Sequence, residues 1–315
     1  NLVCLSDENG VVPDGPIHFK SAVMKSFTAD HISSGEADQL LKELQQKMDQ
    51  KSIQFFTGVS YRHIVLLSDQ YHSVTCSAPH DASDKQIDPF LPKGKNEQEI
   101  FQLMHHANEI LRQSKVNKKR IQNGKLPANS IWPWSQGKIP TFPSFQEKYG
   151  LSGGIITAVD LLKGLAKLTG LKAPFVQGAT GFVDTNYKNK IKEAFSILKE
   201  HDFVYIHIEA PDEAGHLGDA ILKTKAIEDF DQNVMKPVWQ YVQNNPNTAL
   251  LILPDHPTPC RTKTHTSNPV PFVYYDPNII PDQTDQYTEK TVSDWTFEFP
   301  WELMQAFLDK KPVNV

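Results

Sequence analysis

The chain has no apolar run approaching the ~20 residues needed to cross a bilayer; its longest apolar stretches, such as 249–253, have the length of a strand. That excludes a helical membrane span, and no membrane partner is expected. Only three cysteines occur, Cys4, Cys76 and Cys260, with no CxxC and no pairing pattern. A disulfide framework is thereby excluded, and a reducing, cytoplasmic setting is expected. Long Lys/Arg runs are missing and the formal charge is −5, which argues against nucleic acid as a partner. An anionic substrate must then be met by locally placed cations, since the molecule as a whole does not steer it. Repeats and low-complexity tracts are also absent. What remains is 39% hydrophobic and 22% charged over 315 residues. That is the balance of a globular chain with a core and with room for two domains.

The texture changes near residue 140. Before it, a strand is predicted at Leu2–Leu5, followed by a polar turn at 6–10. After His31, Ser33-Ser34-Gly35-Glu36 reads as a helix cap ahead of Ala37, Leu40, Leu41 and Leu44 at helical spacing. Strand-forming stretches follow at 54–59 and 62–67, then a Pro/Gly-punctuated segment and a helix predicted over 97–115. After Pro140 strands alternate with helices: strands at 153–158, 202–209, 249–253 and 270–275, helices at 159–169, 188–200 and 220–243. Such alternation predicts a doubly wound, mostly parallel α/β sheet, whose working residues gather at the carboxyl ends of strands.

Acids and imidazoles stand at three such ends. The stretch 204–209 runs into Ala210-Pro211-Asp212-Glu213-Ala214-Gly215-His216, and 250–253 runs into Pro254-Asp255-His256-Pro257-Thr258-Pro259. Lys263-Thr264-His265-Thr266 precedes the last strand. A carboxylate and a histidine four positions apart can converge on one cation, and nitrogen with oxygen donors suits Zn, Mn or Co better than a Ca cage. Two such ions would clamp the attacking and leaving oxygens of a displacement at phosphorus. Each piece alone is ordinary, because an Asp-His pair is more often a capped loop than a ligand, and His207, inside a strand, reads as a packed histidine.

The wording around these residues is more specific. Ile131-Trp132-Pro133-Trp134-Ser135-Gln136-Gly137-Lys138, Gly178-Ala179-Thr180-Gly181-Phe182-Val183-Asp184-Thr185-Asn186-Tyr187 and 210–216 resemble the archaeal-type, cofactor-independent phosphoglycerate mutases of the alkaline phosphatase superfamily. The resemblance runs from Asn1 to about Tyr275. It implies an alkaline-phosphatase-like domain at 141–315 and an inserted α+β substrate domain at 1–140. It also implies two divalent ions (Mn, Zn, Co or Mg), one held by Asp212, His216 and His265 and the second receiving Asp255 and His256. The implied reaction interconverts 3-phosphoglycerate and 2-phosphoglycerate through a phosphoserine, without 2,3-bisphosphoglycerate. The family's opening strand, with its Asp-Gly and nucleophilic Ser, is not found, so the nucleophile is expected outside this sequence. Two other readings stand beside this one: a phosphatase, phosphopentomutase or phosphonate hydrolase of the same metal architecture, and a non-catalytic binding subunit motivated by the missing nucleophile.

A phosphoglycerate carries phosphate and carboxylate, which Arg forks, Lys and His recognise. Candidates for binding it are Arg62, His63, His80, Asp81, Arg120, Gln136 and Lys138. The plain alternative makes Arg62 and Arg120 surface ion-pair partners, and Trp132 an aromatic plug. Ser135 stands where the family has Gly, a mild departure that narrows the backbone angles available. Gly178–Gly181 offers backbone N–H groups to an anion but lacks the GxxxxGK[ST] spacing, which excludes a nucleotide P-loop.

Overall fold

Leu2–Ser6 is the innermost strand, β1, and each of its five residues is buried. The computed structural model describes residues 1–48, 52–290, 297 and 299–309, and the chain divides into two units, Asn1–Ile139 and Pro140–Val315. In the first unit β1 lies between β2 (Val23–Ser26) and β5 (Ser130–Ile131), antiparallel to both, with a bulge at Cys4/Leu5. A separate hairpin joins β3 (Ile53–Phe56) to β4 (Ile64–Leu67).

Helix α1 (Ser34–Lys47) opens with the capping box the sequence announced. Ser33 Oγ accepts from the Glu36 N–H, and the Glu36 carboxylate accepts from the Ser33 N–H. Its Ala37, Leu40, Leu41 and Leu44 enter one core with Leu2, Met24, Met104 and Trp132. The helix predicted over 97–115 is instead two, α2 (Glu97–Gln113) and α3 (Lys115–Gln122). Ser114 takes extended backbone angles and its Oγ caps the Val116 N–H, so local capping ends one helix and starts the next.

Arg120 corrects an expectation. Its side chain is 1% exposed, paired at 2.8 Å with Glu36, and it donates to the carbonyls of Leu126 (2.9 Å) and Ala29 (2.6 Å). Buried and with its guanidinium engaged on three sides, it braces this unit and is not presented to a ligand.

The second unit runs α4 (Phe145–Tyr149), β6 (Gly153–Ile156), α5 (Asp160–Leu168), α6 (Tyr187–Leu198), β7 (Phe203–Ile206), α7 (Ala210–Leu217) and α8 (Ala220–Phe230). It continues with α9 (Lys236–Asn244), β8 (Leu250–Ile252), β9 (Val273–Tyr275) and α10 (Pro300–Leu308). Strands β6 and β7 pair in parallel across a helical crossover, the α/β signature the alternation predicted. Among the described residues the other pair in this unit, β8 with β9, is antiparallel. The helix expected over 220–243 contains a π-helical turn at Asp231–Met235. Pro237 accounts for it: a proline has no N–H and its ring clashes with the carbonyl four residues back, so the ladder widens just before it. The strand expected to reach 209 stops at Ile206, because Pro211 favours the first turn of a helix. The unit's core is built by Tyr187, Ile191, Val234, Val238 and Val242, with Ile156, Val176, Ala194 and Ile197 beside it.

Candidate metal centre

The segment 210–216 is a helix, which puts Asp212 and His216 one turn apart on the same face. Asp212 Oδ2 and His216 Nε2 are 3.3 Å apart. The loop after β8 brings Asp255 and His256, whose Oδ2 and Nε2 are 3.3 Å apart. His265 arrives on the loop before β9: its Nε2 lies 3.0 Å from His216 Nε2 and 3.5 Å from Asp212 Oδ1. The His256 and His265 rings overlap with centroids 3.7 Å apart, and His256 Nδ1 is 3.9 Å from Asp212 Oδ1. Asp212, His256 and His265 each offer one ligand atom within 4.8 Å of the others. All five residues of the expected centre therefore gather in one place. Two ligands each ~2.0–2.2 Å from one ion and 90–110° apart are separated by roughly 2.8–3.6 Å. The His216–His265 separation of 3.0 Å falls inside that span, as do Asp212 Oδ2 to His216 at 3.3 Å and Asp212 Oδ1 to His265 at 3.5 Å, the two carboxylate oxygens each facing one imidazole.

Neighbours orient these donors. A carbonyl only accepts, so His216 Nδ1, 3.0 Å from the Lys263 carbonyl, carries the proton and donates it. That fixes the tautomer with the Nε2 lone pair facing the cluster, the outer-shell device typical of metal-ligating histidines. Thr258 Oγ1 donates to Asp212 Oδ1, and the Thr258 carbonyl accepts from Lys223 Nζ at 2.6 Å. Gly215 is required here, because a Cβ would run into that same carbonyl; its absence lets α7 lie flush on the loop carrying Thr258. Sequence reading missed Thr258 and Lys223. The legible signal for Thr258 was a hydroxyl two residues beyond a candidate ligand in Asp255-His256-Pro257-Thr258. Lys223, reaching across from α8, left none.

Lys190, on α6, is only 1% exposed. Its Nζ donates to the Thr180 carbonyl at 3.2 Å and the His207 carbonyl at 3.5 Å, tying the Gly178–Gly181 loop to the exit of β7. Burial lowers its pKa, against the opposing pull of Glu209. Glu209 itself is pushed up by burial and then by Glu213, and its carboxylate fills the space where Gly181 has no side chain. His207, read as a packed histidine, is half-buried with Nδ1 3.4 Å from Thr157 Oγ1. Burial lowers its pKa.

The residues expected to meet substrate lie in the first unit. Arg62 is exposed, its guanidinium 5.6 Å from the Tyr61 ring centroid. His80 and Asp81 are exposed, 3.7 Å apart, and the His80 ring sits edge-on to Trp134 at 5.8 Å. Gln136 is exposed, and Lys138 pairs with Asp69 at 2.8 Å in solvent. His63 turns inward: its Nδ1 accepts from the Gly58 N–H at 3.1 Å, its Nε2 is buried with no partner, and burial pulls its pKa down to about 4. Trp132 is the buried plug, with Nε1 donating to the Ser77 carbonyl at 2.8 Å. Ser135 adopts φ +54, in the left-handed region that glycine occupies most readily.

A family model described as the Metalloenzyme superfamily matches residues 91–297, and one described as 2,3-bisphosphoglycerate-independent phosphoglycerate mutase matches residues 1–117. Curated relatives carry the latter name, among them two from Methanosarcina species. One, from Methanosarcina mazei, is 44% identical over 80% of this chain and 64% of its own length. The other, from Methanosarcina acetivorans, is 43% identical over 88% of this chain and 70% of its own. The chain belongs to the 2,3-bisphosphoglycerate-independent phosphoglycerate mutase family, within the Metalloenzyme superfamily. A solved cofactor-independent phosphoglycerate mutase from Thermoplasma acidophilum shares the fold, with a TM-score of 0.59 and 24% identity over 88% of this chain and 69% of that one. The chain thus spans about two thirds of the length of these relatives. Superfamily membership implies divalent metal ions, and the donor group around Asp212 has the chemistry for them.

Proposed function

We propose that this chain supplies the metal-holding and phosphoglycerate-holding parts of an enzyme that interconverts 3-phosphoglycerate and 2-phosphoglycerate without 2,3-bisphosphoglycerate. One observation carries the reading. In a chain of this family, five donors from three separate segments gather, with Asp212, His216 and His265 at 3.0–3.5 Å and His256 of the Asp255–His256 pair 3.9 Å from Asp212, and with His216 already in the tautomer a ligand needs. Asp212, His216 and His265 hold one divalent ion, and Asp255 with His256 contributes to a second. When bound, such a pair neutralises and orients phosphoryl oxygens. Thr258 and the Lys263 carbonyl hold Asp212 and His216 in register, and Lys190 anchors the end of β7 from which α7 departs.

In the first unit, Arg62, His80 and Asp81 face phosphoglycerate, together with Gln136 and Lys138. Lys138 leaves Asp69 at little cost, since exposed ion pairs contribute ~0–1 kcal/mol. His63 and Arg120 shape this unit from within. The three cysteines are free, and no helix among the described residues is long and apolar enough to cross a membrane. Both fit a cytoplasmic setting.

The test is turnover by the complete gene product with Mn²⁺ and 3-phosphoglycerate, without 2,3-bisphosphoglycerate, followed by phosphorus NMR. The 2-phosphoglycerate signal is expected to grow to equilibrium. Release of inorganic phosphate alone rejects the mutase reading in favour of a phosphatase.

A further inference from the structure

Three consecutive non-glycine residues, Ala29, Asp30 and His31, have φ of +47, +57 and +47. A left-handed conformation is unfavourable for any residue with a Cβ, and three in a row persist only where the surroundings over-determine them. Here they do. The Ala29 carbonyl accepts from buried Arg120 at 2.6 Å. The Asp30 N–H donates to Ser26 Oγ at 3.0 Å, and the His31 N–H to Thr28 Oγ1 at 3.2 Å. Just beyond, the Ile32 carbonyl accepts from Ser60 Oγ at 2.7 Å, and Ser60 is itself left-handed at φ +55. Arg120 is locked in turn by the Glu36 carboxylate that caps α1. An internal brace that misleads a reader of the sequence thus has a definite product, a rigid turn.

That turn holds the His31 imidazole at the surface, where the residue is exposed. Its ring is 6.3 Å from Tyr61, next to Arg62. Tyr61 meets Phe27 at 6.0 Å, Phe27 meets His80 at 6.2 Å, and His80 meets Trp134 at 5.8 Å. His31, Arg62 and His80 are therefore polar heads on one continuous aromatic strip within the first unit. Strain of this kind collects at ligand-holding positions, and an exposed imidazole and a guanidinium that both approach the Tyr61 ring suit an anion that bears both a phosphate and a carboxylate.

We propose that His31 is a further substrate-binding residue of this face, donating a hydrogen bond to one anionic end of a phosphoglycerate, with the strained turn as its mount. The proposal rests on the reading that Arg62 and His80 bind that molecule. The experiment titrates the full chain with 3-phosphoglycerate by calorimetry and follows each variant's denaturant midpoint. His31→Ala is expected to weaken binding about tenfold, the size of a lost hydrogen bond to a charged group, with an unchanged midpoint. His31→Gln, which keeps a donor, recovers part of the loss. Wild-type affinity in His31→Ala, alongside weakened Arg62→Ala and His80→Ala, overturns the assignment of His31 alone. Wild-type affinity in all three variants, or no binding by the unaltered chain, overturns the shared reading of the face as well.

Discussion

Among the described residues the two units each bury one cation but differ in the charge they leave outside. In the first, buried Arg120 meets a carboxylate and two carbonyls, as Lys190 of the second meets two carbonyls. The central strand β1 is buried at every position, so this unit closes on itself. In the second, the strands β7 and β8 are half-buried along most of their length. At their ends five donors crowd together with side chains 29–63% exposed. Three imidazoles and two carboxylates at such separations gain little from one another and much from a cation. The comparison teaches that a buried charge matched by fixed protein partners is architecture. A half-exposed cluster of donors, oriented by neighbours such as Thr258 and the Lys263 carbonyl, is the place to look for a ligand.

The largest effect should come from the first unit. Arg120→Met removes a buried charge and strands the Glu36 carboxylate and two carbonyls, so unfolding free energy should fall by about 3 kcal/mol, read from the denaturant midpoint. An unchanged midpoint would return Arg120 to the list of ligand candidates. Next comes the metal. At a hundredfold excess over Kd, Mn²⁺ or Zn²⁺ should stabilise the second unit by ~2.7 kcal/mol, seen as protection from hydrogen exchange in α7 and the loop around Thr258, and absent in Asp212→Asn. Thr258→Val should weaken metal binding about tenfold, and a Thr258→Val protein that binds metal normally would remove that hydroxyl from the centre.

The smallest effect is one of pH. His63 has an ordinary value of 6.5 and a folded value of about 4 set by burial. Between these values the unfolded chain binds the extra proton. Stability is therefore fully present above 6.5 and is lost as pH falls toward 4, by ~1 kcal/mol once partial exposure is allowed for. His63→Gln should flatten that slope in denaturant titrations. A slope that persists in the variant would place the titrating group elsewhere.

The α1 cap, its apolar stripe and the β6-to-β7 crossover were legible because each is written in local spacing: a Ser and a Glu three apart, leucines at three and four, apolar runs ended by turns. The clustering of the five candidate donors was legible for a similar reason, since each pair sits at a strand exit in a family-specific phrase. The break at Ser114 and the π-turn ahead of Pro237 were harder, because one polar residue or one proline competes with a strong helical period. Arg120 was misjudged because nothing within a few residues of it reveals Glu36, 84 positions away.

By itself the sequence determined the alternating α/β texture, the family, and the five residue types that a metal centre needs, all of which depend on short-range pattern. Only the tertiary structure decided which polar groups are spent inside the molecule and which are left for a ligand. Satisfaction of a donor or acceptor is a matter of what lies three ångströms away in space, and for Arg120, His63, Thr258 and His31 that neighbour is set by the fold.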